Sequence, residues 1–437
     1  MIQGKEDRMI KVRDLIAVGG IILAFAAVAD WRYRHPGDSI WFEADYNVHL
    51  GAEYDEIARA IRAGRGFSDP FRVRSGPTAW MPPALPYILA GLYWLAGDDR
   101  EVVVEMVVGL KCLILAFTCL IVVREARRLG RSWLGYVVVV AGLATHFHAM
   151  FQRTHDEWLL LLVLDFIWLL TVRLWTPPTA ASTAVGWGIF GGVAALCSPV
   201  AGATWAVMTV VRWFPRKRLS MWLRRETIRQ CQPLAIATLC SILTVTPWMV
   251  RNRVTLGKWI PIKSNGVYEI WQAQCVDEDG ILDTATFAGH PWAVAGKQRA
   301  EYMAKGELEF IGARWPEVRE SVRRTPQELL ARIANRVLAA SLWYTPSDHE
   351  RQQPVWLLDV KRVAFALPVV GVMLVVVTRT RPLDRQVLAS VWIYGVFLLP
   401  YVLVAYYERY AAPLMGVKML LVVYGIDTVL GIVRKRR

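Results

Sequence analysis

Disulfide chemistry has little to work with in this chain. Its six cysteines in 437 residues, Cys112, Cys119, Cys197, Cys231, Cys240 and Cys275, show neither zinc-site spacing nor the pattern of a disulfide framework. All but Cys275 lie in apolar runs. The alternating apolar–polar strands of a membrane β-barrel are missing. No internal repeat is visible, which argues against the repeat-built transporters. No small-residue cleavage site clearly follows the first apolar run, so that run reads as a retained helix and not as a cleaved signal peptide. Acidic side chains are the minority charge, 37 Asp and Glu against 51 Lys and Arg, which gives a formal net charge of +14.

That charge in isolation would suggest a nucleic-acid partner. Its distribution argues against one. The basic residues cluster at the ends of apolar runs: Arg124, Arg127, Arg128 and Arg131; Arg216, Lys217 and Arg218; Arg379, Arg381 and Arg385; Arg434 to Arg437. This is the positive-inside pattern of a membrane protein. The apolar fraction is 55%, more than a soluble chain of this length needs, and there are 20 Trp. Apolar runs of roughly 15–22 residues recur, close to the ~20 that cross a bilayer core as a helix. The expected fold is all-α: a polytopic transmembrane bundle of about ten helices.

The basic clusters orient it. Lys5, Arg8, Lys11 and Arg13 make the N-terminus cytoplasmic. Helix spans are expected at about 14–30, 102–123, 133–150, 157–174, 231–249, 361–378, 386–404 and 411–431. A short hairpin, 184–198 and 200–213, turns near Pro199. The C-terminus is then cytoplasmic as well, and two large loops, 31–100 and 250–358, are extracytoplasmic. Residues 82–97 are apolar but reach only about 24 Å as a helix, short of the roughly 30 Å core. They are expected to be re-entrant or interfacial. Loop one has an amphipathic helix over 54–61, ended by Gly64 and Gly66. Loop two has helical patterns over 298–313, broken near Pro316, and from Thr325-Pro326, a cap and first-turn proline, to about 342. Both loops look too thin for a core of their own, and their helices fit an interfacial place.

Ionisable groups at membrane depth are costly and are therefore informative. Lys111 and Asp165 each lie about nine residues past the outer end of their helices, at similar depth. They are expected to form a structural intramembrane ion pair. Catalytic carboxylates are sought at the outer surface, where a base can be ionised and reach an acceptor. Loop one offers Glu43, Asp45, Glu53, Asp55 and Glu56; the outer end of the 157–174 span offers Asp156 and Glu157. Arg72, Arg74, Arg251, Arg253, Lys258, Lys263 and Arg409 are placed outside, against the positive-inside trend. Arginine binds phosphate through two N–H groups at once, and lipid headgroups offer a second use. Gly186-Trp187-Gly188-Ile189-Phe190-Gly191 fits a dinucleotide fingerprint by spacing, but it lies inside an apolar run with no preceding strand and reads as helix packing. His146 and His148 are two residues apart, on different helix faces, which is poor spacing for a metal.

Four stretches together resemble the GT-C superfamily of membrane glycosyltransferases, which includes protein O-mannosyltransferases and the aminoarabinose transferase of lipid A. The first runs from Glu53-Tyr54-Asp55-Glu56-Ile57 to Ser68 and on from Gly76-Pro77 to Pro82-Pro83 and Tyr87. The second is His155-Asp156-Glu157-Trp158-Leu159. The third is Pro247-Trp248-Met249-Val250-Arg251-Asn252, followed by Gly257 and Ile260-Pro261-Ile262. The fourth is Glu408-Arg409-Tyr410 with Pro413. The resemblance implies one transmembrane domain over 1–437 in a bacterial cytoplasmic membrane. It implies transfer of a sugar from a polyprenyl-phosphate donor to a hydroxyl of a lipid, glycan or protein acceptor, with inversion. Glu53 matches the first acidic position and Asp156 the second; Arg251 and Arg409, with Arg74, would hold the donor phosphate. Relatives often place Asp-Glu a few residues before the loop-one tyrosine. Here Leu50 and Gly51 stand there, so either Glu53 is the base or Asp45 folds back. No cofactor is required by the resemblance, and a divalent metal is left open. Two other functions compete: a flippase or transporter of a lipid-linked sugar, and a non-catalytic envelope-assembly protein.

Overall fold

Each apolar run folds as a helix. A computed structural model describes residues 10–34, 50–152, 155–173, 181–213, 225–293, 296–346, 354–378 and 384–436. Glu43 and Asp45 lie outside these, as do Lys5, Arg8, Arg379, Arg381 and the 216–218 cluster. In chain order the helices are α1 (Val12–Arg34), α2 (Ala52–Arg62), α3 (Ala84–Leu95), α4 (Arg100–Arg128), α5 (Ser132–Thr145), α6 (Glu157–Arg173), α7 (Ala181–Cys197), α8 (Pro199–Trp213) and α9 (Arg225–Leu256). Then follow α10 (Gly266–Trp271), α11 (Thr284–Ala288), α12 (Lys297–Lys305), α13 (Glu307–Gly312), α14 (Trp315–Arg324) and α15 (Pro326–Ser341). The last are α16 (Val355–Thr378), α17 (Arg385–Leu403), a short 3-10 helix (Glu408–Leu414) and α18 (Met415–Arg436). The described residues form no sheet; two isolated bridges are their only β pairings.

Six helical spans are long and apolar enough to cross a membrane: Val12–Trp31, Arg100–Arg128, Cys231–Leu256, Val355–Thr378, Arg385–Leu403 and Glu408–Val433. The chain is thus a multi-pass membrane protein. The other expected spans also fold as helices, but short ones. α5 has 14 residues, α6 and α7 have 17 each and α8 has 15, about 21–26 Å at 1.5 Å per residue. Half of the apolar window of α4 and of Glu408–Val433 is buried, against 17% for α1 and 22% for α9 and α16. α4 and α18 are therefore the centre of the bundle, with the others around them.

Local signals set the ends. Asp99 caps α4, accepting from the backbone N–H of Glu101 at 2.9 Å and Val102 at 3.3 Å. Cys197 ends α7 and Pro199 starts α8, so the expected hairpin turn is there. Thr325 and Pro326 open α15 as expected. Loop two departs from the pattern at one place. An additional break falls at Gly306, whose φ is +74°, while the expected one falls at 313–314, just before Pro316 in the first turn of α14. A proline lacks the N–H that a first turn leaves unused, so it starts a helix more readily than it stops one.

The bundle packs through small residues. A Cβ on Gly188 would lie 2.4 Å from the Ala237 carbonyl oxygen, and one on Gly192 2.4 Å from Thr244. Gly188, from the fingerprint-like run, and the neighbouring Gly192 thus let α7 and α9 approach closely, as small residues do between membrane helices. Gly371 of α16 and Gly425 of α18 meet in the same way.

The expected Lys111–Asp165 ion pair is not the bond the helices make. Asp165 accepts from the Thr118 hydroxyl at 2.5 Å, two turns further along α4 than Lys111. A threonine inside an apolar run offers a donor at no cost in charge, and the course of α4 brings it level with Asp165.

The two loop regions do have a core of their own. Phe71 and Trp80 from the first stack edge-on or tilted against Tyr268, Tyr302 and Phe310 from the second, with centroids 4.8–6.4 Å apart. Glu307 fastens them. Its carboxylate accepts from the Thr78 hydroxyl, the Ala79 N–H at 2.9 Å, the Ser264 hydroxyl at 2.7 Å and the Tyr302 hydroxyl at 3.2 Å. The two segments make one lid, which the thinness of each loop in isolation concealed. Arg336 on α15 ties the lid to the bundle. It is fully buried, and donates to the carbonyls of Val402 at 2.8 Å and Leu403 at 3.3 Å, at the C-terminal end of α17.

Candidate active site

Between lid and bundle lies a cavity of about 400 Å³, large enough for a small organic ligand. Its walls come from five separated stretches: α2 and the segment after it, the start of α6, the α7–α8 turn at 198–200, the 263–292 part of the lid, and the end of α17 with the 3-10 helix. Glu53, Asp156 and Arg409, which lie far apart in sequence, all line it.

The entry of α2 makes this geometry. Gly51 precedes the helix with φ +74°, a left-handed backbone that favours glycine. A Cβ there would sit 2.9 Å from the Tyr54 ring and 3.3 Å from His155. The missing side chain lets α2 press against the 155–157 segment. Tyr54 then donates to Asp156 Oδ2 at 3.1 Å. Burial pushes the Tyr54 hydroxyl well above its ordinary range, so it remains a donor.

Charges are paired around the walls. Arg409 Nη1 donates to Glu157 Oε1 at 2.6 Å and lies 3.7 Å from Asp156 Oδ1. Its guanidinium also faces the Tyr410 ring at 5.2 Å, and Tyr410 stacks on Tyr401 at 4.7 Å. Lys263 donates to Glu269 at 2.6 Å. Glu53 differs from the other wall carboxylates. Among the described residues it forms no side-chain hydrogen bond, and the His290 imidazole lies across from it, with Nε2 3.8 Å from Oε1. Burial raises the Glu53 carboxyl above its ordinary range, opposed by its backbone hydrogen bond and by Arg409 and Lys263.

The other expected residues fall elsewhere. Arg251 does not line the cavity. Its guanidinium donates to the carbonyls of Thr78 and Phe67, each at 2.6 Å, and lies over the Trp248 ring at 5.0 Å. It fixes the course of the first lid segment. Arg74 is exposed on the lid and outside the lining. Asp55 is buried in the α2–α3–α4 contact, accepting from Tyr93 at 2.5 Å and Arg100 at 3.4 Å. Asp45 lies outside the described residues. Lys263, from the outer basic set, does line the cavity. Sequence reasoning missed Tyr54, Glu269, His290 and the aromatic wall. Tyr54 had a signal, since it sits beside Glu53 on the amphipathic helix; a lone histidine in an irregular segment such as His290 had none.

His146 faces a different neighbour from a metal. Its Nε2 lies 3.5 Å from Lys418 Nζ, and its Nδ1 contacts the Gly142 carbonyl at 3.0 Å. Among the described residues no group of three His, Cys, Asp or Glu is close enough to hold a metal ion. No family model matches this chain, and no curated protein matches it significantly. The class defined by fold is a multi-pass helical membrane protein with a lidded cavity that carries charged side chains on its walls.

Proposed function

We propose that the protein is a GT-C-type membrane glycosyltransferase of the bacterial cytoplasmic membrane. In this reading ten helices are membrane-embedded, both termini are cytoplasmic and the lid is extracytoplasmic. A sugar passes from a polyprenyl-phosphate donor to a hydroxyl of a lipid, glycan or protein acceptor, with inversion. One observation carries the reading. Glu53, Asp156 and Arg409, from three of the four stretches that resemble the family, converge on one cavity at the bundle–lid junction.

The chemistry follows from the side chains. The acceptor hydroxyl gives its proton to a Glu53 carboxylate oxygen. The acceptor oxygen bonds to the anomeric carbon as the bond from that carbon to the phosphate oxygen breaks, and the electron pair leaves with the phosphate. Asp156 already accepts from Tyr54, so its role is to hold Tyr54 and Arg409 in place. Both carboxylate contacts of Arg409 use Nη1, which leaves its other N–H groups for the phosphate charge that develops on departure. Lys263 supplies a second cation on the same wall. The raised Glu53 carboxyl suits a base that works near neutrality.

The test is transfer of labelled sugar from a polyprenyl-phosphate donor in proteoliposomes. Wild type is compared with Glu53→Gln and Asp156→Asn, each checked for folding. The expected loss in Glu53→Gln is at least roughly a hundredfold, the size of a lost general base. Full activity in that variant would rule Glu53 out as base. No turnover by wild type with several donors, alongside faster lipid crossing, would replace the enzyme by a flippase.

A further inference from the structure

Among the described residues, three carboxylates of the cavity wall are held by other side chains: Asp156 by Tyr54, Glu157 by Arg409 and Glu269 by Lys263. Glu53, the group assigned the proton, makes no side-chain hydrogen bond among the described residues, and His290 lies across 3.8 Å from it. The surroundings of that imidazole fix what it can do. The Trp292 backbone N–H donates to Nδ1 at 3.2 Å, so a neutral ring carries its proton on Nε2. Nε2 is the atom that faces Glu53. Phe71, Trp80, Tyr268 and Phe287 hold the ring between them, with centroids 5.5–6.1 Å away. The gap to Oε1 is about an ångström longer than a hydrogen bond, a distance that small side-chain adjustments close in working sites.

We propose that His290 is the positioning residue of Glu53: its Nε2–H closes onto Oε1 of the ionised carboxylate and turns the second oxygen toward the acceptor hydroxyl. The inference rests on the role of Glu53 as base. His290 comes from the lid and Glu53 from α2, so base and orienting group meet only when the lid is seated. No proton changes hands within the pair. Burial lowers the His290 pKa to about 3, so near neutrality the ring donates and does not compete for the proton. A donor to the ionised form favours ionisation; its removal therefore raises the pH at which Glu53 titrates. Arg409 and Lys263 also favour the ionised form and Asp156 opposes it, while the Tyr268 hydroxyl donates to Gln298 at 2.6 Å. None of these changes when position 290 alone is varied.

The experiment uses full-length protein in lipid and two readouts. The first is an infrared titration of the Glu53 carboxyl, isolated by subtracting the spectrum of Glu53→Gln, which needs no substrate. The second is the pH dependence of sugar transfer from a polyprenyl-phosphate donor. His290→Phe keeps the aromatic packing and removes the donor; His290→Asn ends short of Oε1 and is a second removal that retains polarity; His290→Gln restores an N–H at nearly the original reach. The expected result is a Glu53 midpoint raised by about one pH unit in the Phe and Asn variants and returned by Gln. The acidic limb of kcat moves by the same amount, with kcat falling about tenfold and KM little changed. A folded His290→Phe or His290→Asn with an unmoved midpoint would overturn the pairing, as would a Gln variant that restores nothing. The two readings separate cleanly. A shifted midpoint in a protein that transfers no sugar sinks the glycosyltransferase and leaves the pair. An unshifted midpoint beside normal transfer sinks the pair and leaves the enzyme.

Discussion

The bundle and the lid are both helical, yet they cohere by different means. Where α7 meets α9 and where α16 meets α18, the contact is made by glycines that admit a neighbour's backbone or side chain. The lid instead has an aromatic core, and Glu307 accepts from four donors drawn from both lid segments. The difference follows from the solvent. Between lipid-facing helices there is little hydrophobic driving force, so association depends on close fit. The exposed Arg319, Glu320, Arg323 and Arg324 of α14 mark the lid as water-facing. There apolar burial does contribute, and a buried carboxylate is tolerated because every lone pair finds a donor.

The sharpest way to break this comparison is to remove the fastener. Glu307→Ala leaves four buried donors without their acceptor, a loss of about 3 kcal/mol or more. Limited proteolysis should then cut the lid while the thermal transition of the bundle stays in place; a joint shift of both would make lid and bundle one cooperative unit. Next in size is Gly191→Val on the bundle side, where the added Cβ meets the Trp205 ring at 2.1 Å. Overpacking of this kind costs roughly 1–3 kcal/mol, read as a lower bundle melting temperature with an intact lid. Gly51→Ala probes the seam between the regions. It combines a left-handed backbone with contact against Tyr54 and His155. About 1–2 kcal/mol is expected, with a larger relative loss of transfer than of stability, because the Tyr54–Asp156 bond is displaced. The smallest effect belongs to Asp165→Asn. An amide oxygen still accepts from Thr118, so less than about 1 kcal/mol is expected from the thermal unfolding of that variant. A partner in a buried ion pair would instead cost about 3–5 kcal/mol, and such a loss would restore the Lys111 pairing.

Acidity distinguishes the site from both regions. The Glu53 carboxyl is raised by burial, and in the proposed mechanism its ionised form is the active one. Transfer should therefore hold above that raised value and fall as pH drops through it, at a higher pH than for a solvated glutamate. A pH profile of kcat checks the direction.

Much of the fold was legible in the sequence, because apolar period and basic clusters act locally. Gly64, Gly66, Pro199 and Thr325-Pro326 mark their ends where expected. Three residues that line the candidate site were legible for a similar reason: Glu53, Asp156 and Arg409 sit at helix entries, in short stretches that prompted the resemblance. The lid core was not legible. Its halves, Phe71 and Trp80 against Tyr268, Tyr302 and Phe310, are roughly two hundred residues apart, and neither half is apolar enough to signal a core. Thr118 was hidden because an uncharged residue in an apolar run breaks no pattern. Arg251 shows a further limit. Its charge and placement suit a phosphate, but the carbonyls of Thr78 and Phe67 claim it, and their position depends on the fold of the first lid segment.

The Glu307–Thr78 bond joins residues 229 positions apart. At about 5–20 residues per second of synthesis, Thr78 waits roughly 10–50 s for its partner. During that interval Phe71 and Trp80 are made and have nothing to pack against, while the helices that separate the two lid segments enter the membrane. The lid core is therefore completed late in synthesis but before α16, α17 and α18 are made, and a ribosome stalled just after Glu307 would leave both lid segments facing a cavity that lacks its C-terminal wall.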